Sequence, residues 1–258
     1  MILAVVGTGT DVGKTIVSAV VLTRYQGVLP LAYWKPVASG ADGGRDSELV
    51  ARLAGPRALI FPETYLFPAP LSPHLAARLA GSAIDPQALL ADLERYLGAG
   101  RSLLIEGAGG LLVPLAGGYL QADLLLDFQR RAPLACLVVA TPALGTINHT
   151  LLTLEALRAR GLPVAAVVLS GPPNEENRQA ILRYGLPPHA FELPPLAGLD
   201  RPAVSAAASA FDPAAALAAF LRPPAPLPAA APHRRSSAGG GGDGAVASAG
   251  EAAVREAE

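Results

Sequence analysis

The stretch VVGTGTDVGKTIVS, residues 5–18, joins an apolar run typical of a β-strand to a segment with a helical pattern. Its glycines, threonines and lysine therefore lie in a strand-to-helix turn, where main-chain N–H groups and a helix N-terminus can bind phosphate. The spacing G-x5-G-K-T, from Gly7 to Thr15, is a variant of the P-loop pattern, which ordinarily has its first glycine at the position of Thr8. A dinucleotide fingerprint would need a glycine where Val12 stands. The stretch predicts a phosphate-binding loop in an α/β fold.

The rest of the chain alternates apolar runs with longer amphipathic segments, which indicates a mostly parallel sheet with helices on both faces. Strands are predicted at 2–6, 31–34, 102–106, 134–140 and 164–170. Helices are predicted at 13–26, 46–54, 86–97, 120–131 and 147–160, with one more starting near Pro73 inside an otherwise irregular stretch, 55–85. The predicted fold class is a P-loop NTPase-type three-layer α/β/α architecture.

Composition limits the domain organisation and the partners. Residues 1–222 are expected to form one P-loop α/β domain, whereas 223–258, rich in Pro, Ala, Gly and Ser, predict a disordered low-complexity tail. A net charge of −1 and the lack of a long apolar run predict no nucleic-acid or membrane partner, and the lack of a secretory pattern predicts a cytoplasmic location. Cys136, the only cysteine, lies in a strand-like run and is expected to be a buried core residue.

Lysine is rare in this chain. Only Lys14 and Lys35 are lysines among the 20 lysine and arginine residues, so these two positions are expected to need an ammonium group, either as a compact charge or as an amine able to deprotonate. Lys35 ends the second predicted strand, and Glu106 ends the predicted strand SLLIE. Because ligands of open α/β sheets bind at the carboxyl ends of the strands, we expect both side chains beside the P-loop.

Magnesium bound by a P-loop hydroxyl and phosphates usually takes a carboxylate ligand as well. Glu106 is one candidate, because an acid at the end of an apolar strand contributes nothing to a core. Asp46, in GGRDSEL, is a second candidate, but a helix N-cap explains it equally well.

Five motifs, in this order and approximate spacing, resemble those of the dethiobiotin synthetase family. They are GTGTDVGKT (7–15), KPVASG (35–40), SPHLAA (72–77), EGAGGLLVPL (106–115) and LGTINHTLLT (144–153). The first, second and fourth are specific when they occur together. The resemblance covers about residues 1–200 and implies an enzyme of biotin biosynthesis.

The reaction that the resemblance implies is an ATP-dependent ring closure. Carbon dioxide adds to an amine of diaminopelargonic acid to give a carbamate, ATP phosphorylates the carbamate, and the second amine closes the cyclic urea of dethiobiotin. Carbamate and triphosphate are both anions, so the site needs cations, which Mg2+ and the two lysines would supply. Lys14 would follow the γ-phosphoryl group and Lys35 would hold the carbamate.

The resemblance also assigns roles to individual residues. Catalytic roles fall to Thr10, Lys14 and Lys35, and the magnesium ligands would be Thr15, Asp46 and Glu106. The substrate would contact Thr10, Ser39, Gly145, Thr146 and Asn148, although helix capping explains Asn148 equally well. ATP would contact Asp11, Val12, Gly13, Lys14, Thr15, Ile16, Asp46, Glu106, Gly107, Ala108, Gly109, Ser170, Gly171, Pro194, Pro195 and Leu196. Thr146 is predicted to cap a helix whose N-terminus, in this family, comes from the neighbouring subunit, so a homodimer is implied.

This chain departs from the family pattern at the nucleotide base. Ser170 and Gly171 stand where the family usually has an asparagine-aspartate pair, and Asp11 replaces a glutamate in the P-loop. The alternative function is a partitioning-type P-loop switch ATPase, which would need a second lysine where Gly9 stands. An amidotransferase would need a nucleophilic cysteine, and Cys136 does not serve. A nucleotide-binding scaffold without turnover is the remaining alternative.

Overall fold

A computed structural model of the chain describes residues 1–222, so the predicted tail, 223–258, lies outside the described residues. The strands are β1 Ile2–Gly7, β2 Leu31–Trp34, β3 Val37–Ser39, β4 Leu59–Phe61, β5 Tyr65–Phe67, β6 Ser102–Gly110, β7 Pro114–Ala116, β8 Tyr119–Leu120, β9 Leu134–Ala140, β10 Val164–Ser170 and β11 Ala190–Leu193. The α-helices are α1 Lys14–Tyr25, α2 Asp46–Ala54, α3 Pro73–Leu79, α4 Pro86–Gly98, α5 Gln121–Arg131, α6 Thr146–Ala159, α7 Glu175–Ala180 and α8 Arg201–Ala210. Short helical turns at Ala41–Gly43, Ile181–Gly185 and Ala216–Phe220 complete the description.

Seven strands form one parallel sheet in the order β11-β10-β9-β1-β6-β2-β4. The remaining strands form two small pairs, β3 with β5 and β7 with β8. The amino-terminal strand lies at the centre, so the loop after it opens at the middle of the carboxyl edge. The predicted three-layer α/β/α fold is confirmed.

Alternation along β1 shows how the sheet divides the core. Ile2, Ala4 and Val6 are buried on one face, where apolar side chains of α4, α5 and α6 cover them. Leu3 and Val5 are buried on the other face, beneath α1, α2 and α8. Because both faces are covered, the central strands are apolar almost throughout, as parallel strands generally are.

Two sheet strands lie where none was predicted. The stretch 55–85 contains the edge strand β4, and the segment ending in ELPPL contains the opposite edge strand, β11. Both are short and are followed by proline, so their sequences carry little periodic signal. They are held by pairing with β2 and β10, a tertiary effect that local patterns do not encode.

Two further observations concern predicted properties of the chain. Cys136 is fully buried in β9, as expected, and burial raises the pKa of its thiol to about 12. Within residues 1–222, the helices are too short or too polar to cross a bilayer.

Candidate active site

The P-loop is shaped by close main-chain contacts. A Cβ atom at Gly7 would lie 2.6 Å from the Gly9 carbonyl oxygen and 3.1 Å from that of Gly109, so only glycine fits where the loop folds against β6. Gly13 has φ +92°, a left-handed conformation, and precedes the first residue of α1 without a side-chain cap. The N–H groups at this helix end are therefore not capped by a side chain, which is the arrangement that the predicted phosphate-binding site requires.

Lys14 is the first residue of α1 and is only 7% exposed. Its Nζ atom lies 3.1 Å from the carbonyl oxygen of Gly9, so the side chain curls back over the loop. Burial lowers the pKa of this ammonium group, against the opposing attraction of the nearby acids.

Glu106 is fully buried and accepts hydrogen bonds on both carboxylate oxygens. Its Oε1 atom is 2.8 Å from Thr15 Oγ1 and 3.0 Å from Lys35 Nζ, while its Oε2 atom is 3.0 Å from both Ser18 Oγ and Tyr33 Oη. The sequence prediction that Glu106 ends its strand is wrong, because β6 continues to Gly110. The glycines after Glu106 allow this continuation close to the P-loop.

Lys35 lies directly after β2 and is 6% exposed. Its ammonium group contacts both Asp46 and Glu106. Burial alone would lower the pKa of Lys35, but these two carboxylates raise it, so the group stays positively charged. Burial would likewise raise the pKa of Asp46, and Lys35 holds it below its ordinary value.

Asp46 is the first residue of α2, and Arg45 takes the N-cap position without a side-chain cap. The N-cap interpretation of Asp46 is therefore wrong. Its carboxylate instead points to Lys35 and to Thr15 Oγ1, which lies 3.0 Å away.

Three side chains at this point form an oxygen cluster suited to a small hard cation. The Thr15 hydroxyl has one proton but lies within hydrogen-bonding distance of carboxylate oxygens of both Asp46 and Glu106. One of these oxygen pairs therefore has no proton between its atoms, an arrangement that a cation stabilises. No group of three or more His, Cys, Asp or Glu residues suited to a metal occurs within 1–222. A cation here would thus need further oxygens from water or phosphate, which is the usual situation for Mg2+.

A cavity of about 820 Å3 opens above this cluster. Its lining includes these residues from the predicted site: Thr10, Asp11, Gly13, Lys14, Thr15, Ile16, Lys35, Ser39, Asp46, Glu106, Ala108 and Gly109. Both lysines of the chain therefore face one cavity at the carboxyl edge of the sheet. The Ser39 hydroxyl donates to the carbonyl oxygen of Leu71 at 2.7 Å and so ties two walls together.

Other predicted residues lie outside the cavity. The side chain of Val12 is buried in the core, and a Cβ at Gly107 would meet the amide of Gln121 at 2.5 Å. Neither residue lines the cavity. Ser170 lies against the P-loop, since its Oγ would be 2.5 Å from a Cβ at Gly13. Gly171 lies beside Pro142.

The remaining predicted residues fall into two groups. Pro194, Pro195 and Leu196 line a separate pocket of about 290 Å3 next to α8. Gly145, Thr146 and Asn148 lie at the start of α6 and do not line the cavity. Gly145, with φ +92°, occupies the N-cap position, so the prediction that Thr146 caps this helix is wrong.

Several residues of the site were missed from the sequence. The cavity walls also contain Gly40, Gly43, Gly44, Leu49, Pro70, Leu71, Ser72, Pro73 and Val113. Ser18 and Tyr33, whose hydroxyl groups donate to Oε2 of Glu106, were missed as well. Ser18 carried a signal, because it lies one helical turn after Thr15 on the same face of α1.

These features define a P-loop nucleotide-binding protein. They are a buried lysine at the start of α1, a glycine-rich loop after the central strand, and an oxygen cluster at the carboxyl edge of the parallel sheet. A family model described as an AAA domain matches residues 2–203. The chain is 46% identical over 213 residues to the ATP-dependent dethiobiotin synthetase BioD of Rhizorhabdus wittichii, covering 82% of this chain and 96% of that relative. It is 45% identical over 203 residues to the same-named protein of Paramagnetospirillum magneticum, covering 79% and 90%. The chain belongs to the dethiobiotin synthetase family.

Solved structures give a more distant likeness. A ParA family ATPase from Chlorobium tepidum matches with a TM-score of 0.51 and 12% identity, over 84% of this chain and 95% of the other. At this identity the likeness concerns the fold alone.

Proposed function

We propose that this chain is a cytoplasmic ATP-dependent dethiobiotin synthase, which closes the ureido ring of dethiobiotin from diaminopelargonic acid, carbon dioxide and ATP. The observation that carries the proposal is the convergence of Lys14, Lys35 and the Thr15, Asp46 and Glu106 oxygens on one cavity. An anionic substrate and a triphosphate need cations in a partly dehydrated space, and this cavity offers them.

The chemistry proceeds in three balanced steps. An amine nitrogen attacks carbon dioxide and loses a proton, which leaves a carbamate. A carbamate oxygen attacks the γ-phosphorus and displaces ADP, which gives a carbamic–phosphoric anhydride. The second amine attacks the carbonyl carbon, the bond from this carbon to the phosphate oxygen breaks, and the proton that the nitrogen loses leaves with the phosphate as the ring closes. The protein forms no covalent bond, so its contribution is positioning and charge stabilisation.

In this scheme the two lysines have different tasks. Lys14, held over the P-loop, follows the γ-phosphoryl group, and Lys35 holds the carbamate. Thr10 and Ser39, which both line the cavity, offer hydroxyl oxygens to the substrate.

Thr15, Asp46 and Glu106 would hold Mg2+, and the bound ion would neutralise phosphate charge. Two observations support a Mg2+ ion here. The hard oxygens described above converge on one point, and the two carboxylates already attract a positive charge, the ammonium group of Lys35. Such a donor set, completed by phosphate and water, suits Mg2+.

The nucleotide would extend from the P-loop towards β10 and β11. Asp11, Val12, Gly13, Ile16 and the Gly107–Gly109 main chain would bind phosphate and ribose through loop atoms. Ser170, Gly171 and the apolar Pro194–Leu196 segment would contact the base, and Ser170 already lies beside Gly13.

A homodimer would complete the substrate site. Gly145, Thr146 and Asn148 lie outside their own cavity, and the hydroxyl of Thr146 is buried without a hydrogen-bond partner. The exposed Leu144 and Leu152 give this end of α6 an apolar surface for a second copy. A helix N-terminus from the partner would bind the terminal carboxylate of the substrate.

The reaction is tested by product analysis. Purified protein with magnesium-ATP, isotopically labelled bicarbonate and diaminopelargonic acid is expected to form the cyclic urea, with the label in the ureido carbon by mass spectrometry. Omission of bicarbonate serves as the control. Nucleotide hydrolysis without the urea would contradict the proposal and favour the partitioning-type switch ATPase.

The shared site is tested by complementation. Lys35→Ala and Asn148→Asp are each expected to inactivate a homodimer, the second by repelling the substrate carboxylate. Co-expression of the two variants should restore about a quarter of wild-type turnover, because half of randomly assembled dimers are mixed and each has one intact site. If the co-expressed variants stay inactive, the two residues act within one subunit.

A further inference from the structure

The two oxygens of the Glu106 carboxylate face different surroundings. Oε1 faces the cavity, where Thr15 and Lys35 contact it. Oε2 points away from the cavity and accepts from Ser18 and Tyr33, both 0% exposed. These two donors fix the plane of the buried carboxylate, because turning the plane away from its present position would leave both donors unpaired.

The fold explains how these donors reach Glu106. Tyr33 pairs with Leu104 across β2 and β6, and Glu106 lies two residues beyond Leu104 on the same face. This face is covered by α1, whose Thr15 and Ser18 lie one turn apart. The Glu106 side chain therefore lies against both α1 and β2. Ser18 on α1 and Tyr33 on β2 each donate one hydrogen bond to its Oε2 atom.

We propose that Tyr33 and Ser18 are positioning residues, which hold Glu106 so that Oε1 faces the magnesium site. The inference rests on the magnesium site of the proposed function but not on the ring-closing reaction. Groups that orient a metal ligand usually affect metal affinity about 10- to 100-fold.

The test measures how much Mg2+ strengthens nucleotide binding, and it does not depend on turnover. The affinity for a non-hydrolysable ATP analogue is measured calorimetrically with saturating Mg2+ and with EDTA, and the ratio of the two affinities is compared. Tyr33→Phe and Ser18→Ala are each expected to lower this ratio about tenfold, with the affinity in EDTA unchanged.

Tyr25→Phe is the matched control. Tyr25 is also a buried tyrosine whose hydroxyl donates to a carboxylate, that of Asp212, at the other end of α1. Its loss should lower the melting temperature and leave the magnesium ratio unchanged. This split separates a positioning role from a merely structural one.

The inference is overturned if folded Tyr33→Phe and Ser18→Ala keep the wild-type ratio, if the wild-type ratio is one, or if Tyr25→Phe shifts it equally. Ser18→Ala decides alone if Tyr33→Phe does not fold, because alanine suits a helix interior. A reduced ratio in a protein that makes no dethiobiotin would support the inference and contradict the proposed reaction.

Discussion

Lys35→Arg is expected to lower turnover about 100- to 1,000-fold, because the group that we propose to hold the reacting anion would be misplaced. The Lys35 ammonium lies between Asp46 and Glu106 at 6% exposure, and a planar guanidinium is larger and cannot take the position of a point charge. ATP should still bind, since Lys14 and the P-loop are unchanged. Steady-state turnover and calorimetric ATP binding measure the two effects separately.

Lys14→Arg is the natural comparison, as these are the two lysines of the chain. It should weaken ATP binding itself, because Lys14 closes over the phosphate loop. Wild-type turnover in Lys35→Arg would remove Lys35 from the mechanism.

Glu106→Gln is expected to abolish measurable turnover and to lower the free energy of unfolding by about 3 kcal/mol. The substitution keeps the shape of the side chain but leaves the buried Lys35 ammonium with one carboxylate instead of two. It also places an amide donor among the hydroxyl donors Thr15, Ser18 and Tyr33. Urea unfolding without ligands measures the stability.

Asp127→Asn provides the control for a carboxylate-to-amide change. Asp127 accepts from Tyr119 at 2.7 Å and pairs with the exposed Arg130, away from the cavity. Its replacement should cost less than about 1 kcal/mol and leave turnover unchanged. Equal stability of Glu106→Gln and wild type would contradict the role of Glu106 as the centre of the buried cluster.

The sequence predicts the positions of site residues best where several of them lie in one short motif. The P-loop follows the central strand, so Gly13, Lys14 and Thr15 could be placed from local spacing alone. Lys35 and Glu106 follow from the rule that neighbouring parallel strands bring their carboxyl ends together. The rarity of lysine added an independent signal for the same edge of the sheet.

The parts that were missed depend on contacts between distant segments. Tyr33 looks like an ordinary strand residue, and only the register with Leu104 shows that its hydroxyl reaches Glu106. The cavity wall at Pro70 and Leu71 is formed by an irregular loop tied to Ser39, which no period predicts. The residue types of Thr146 and Asp46 favour a capping role, but Gly145 and Arg45 occupy the two N-cap positions in the folded chain.

The burial of both lysines has a consequence for chemical labelling. The chain has no lysine besides Lys14 and Lys35, which are 7% and 6% exposed. Acylation of lysine side chains is therefore confined to the cavity, whereas the terminal amine of Met1, which the same reagents modify, lies outside it. Lysine acylation of this protein is therefore expected to report on access to this cavity.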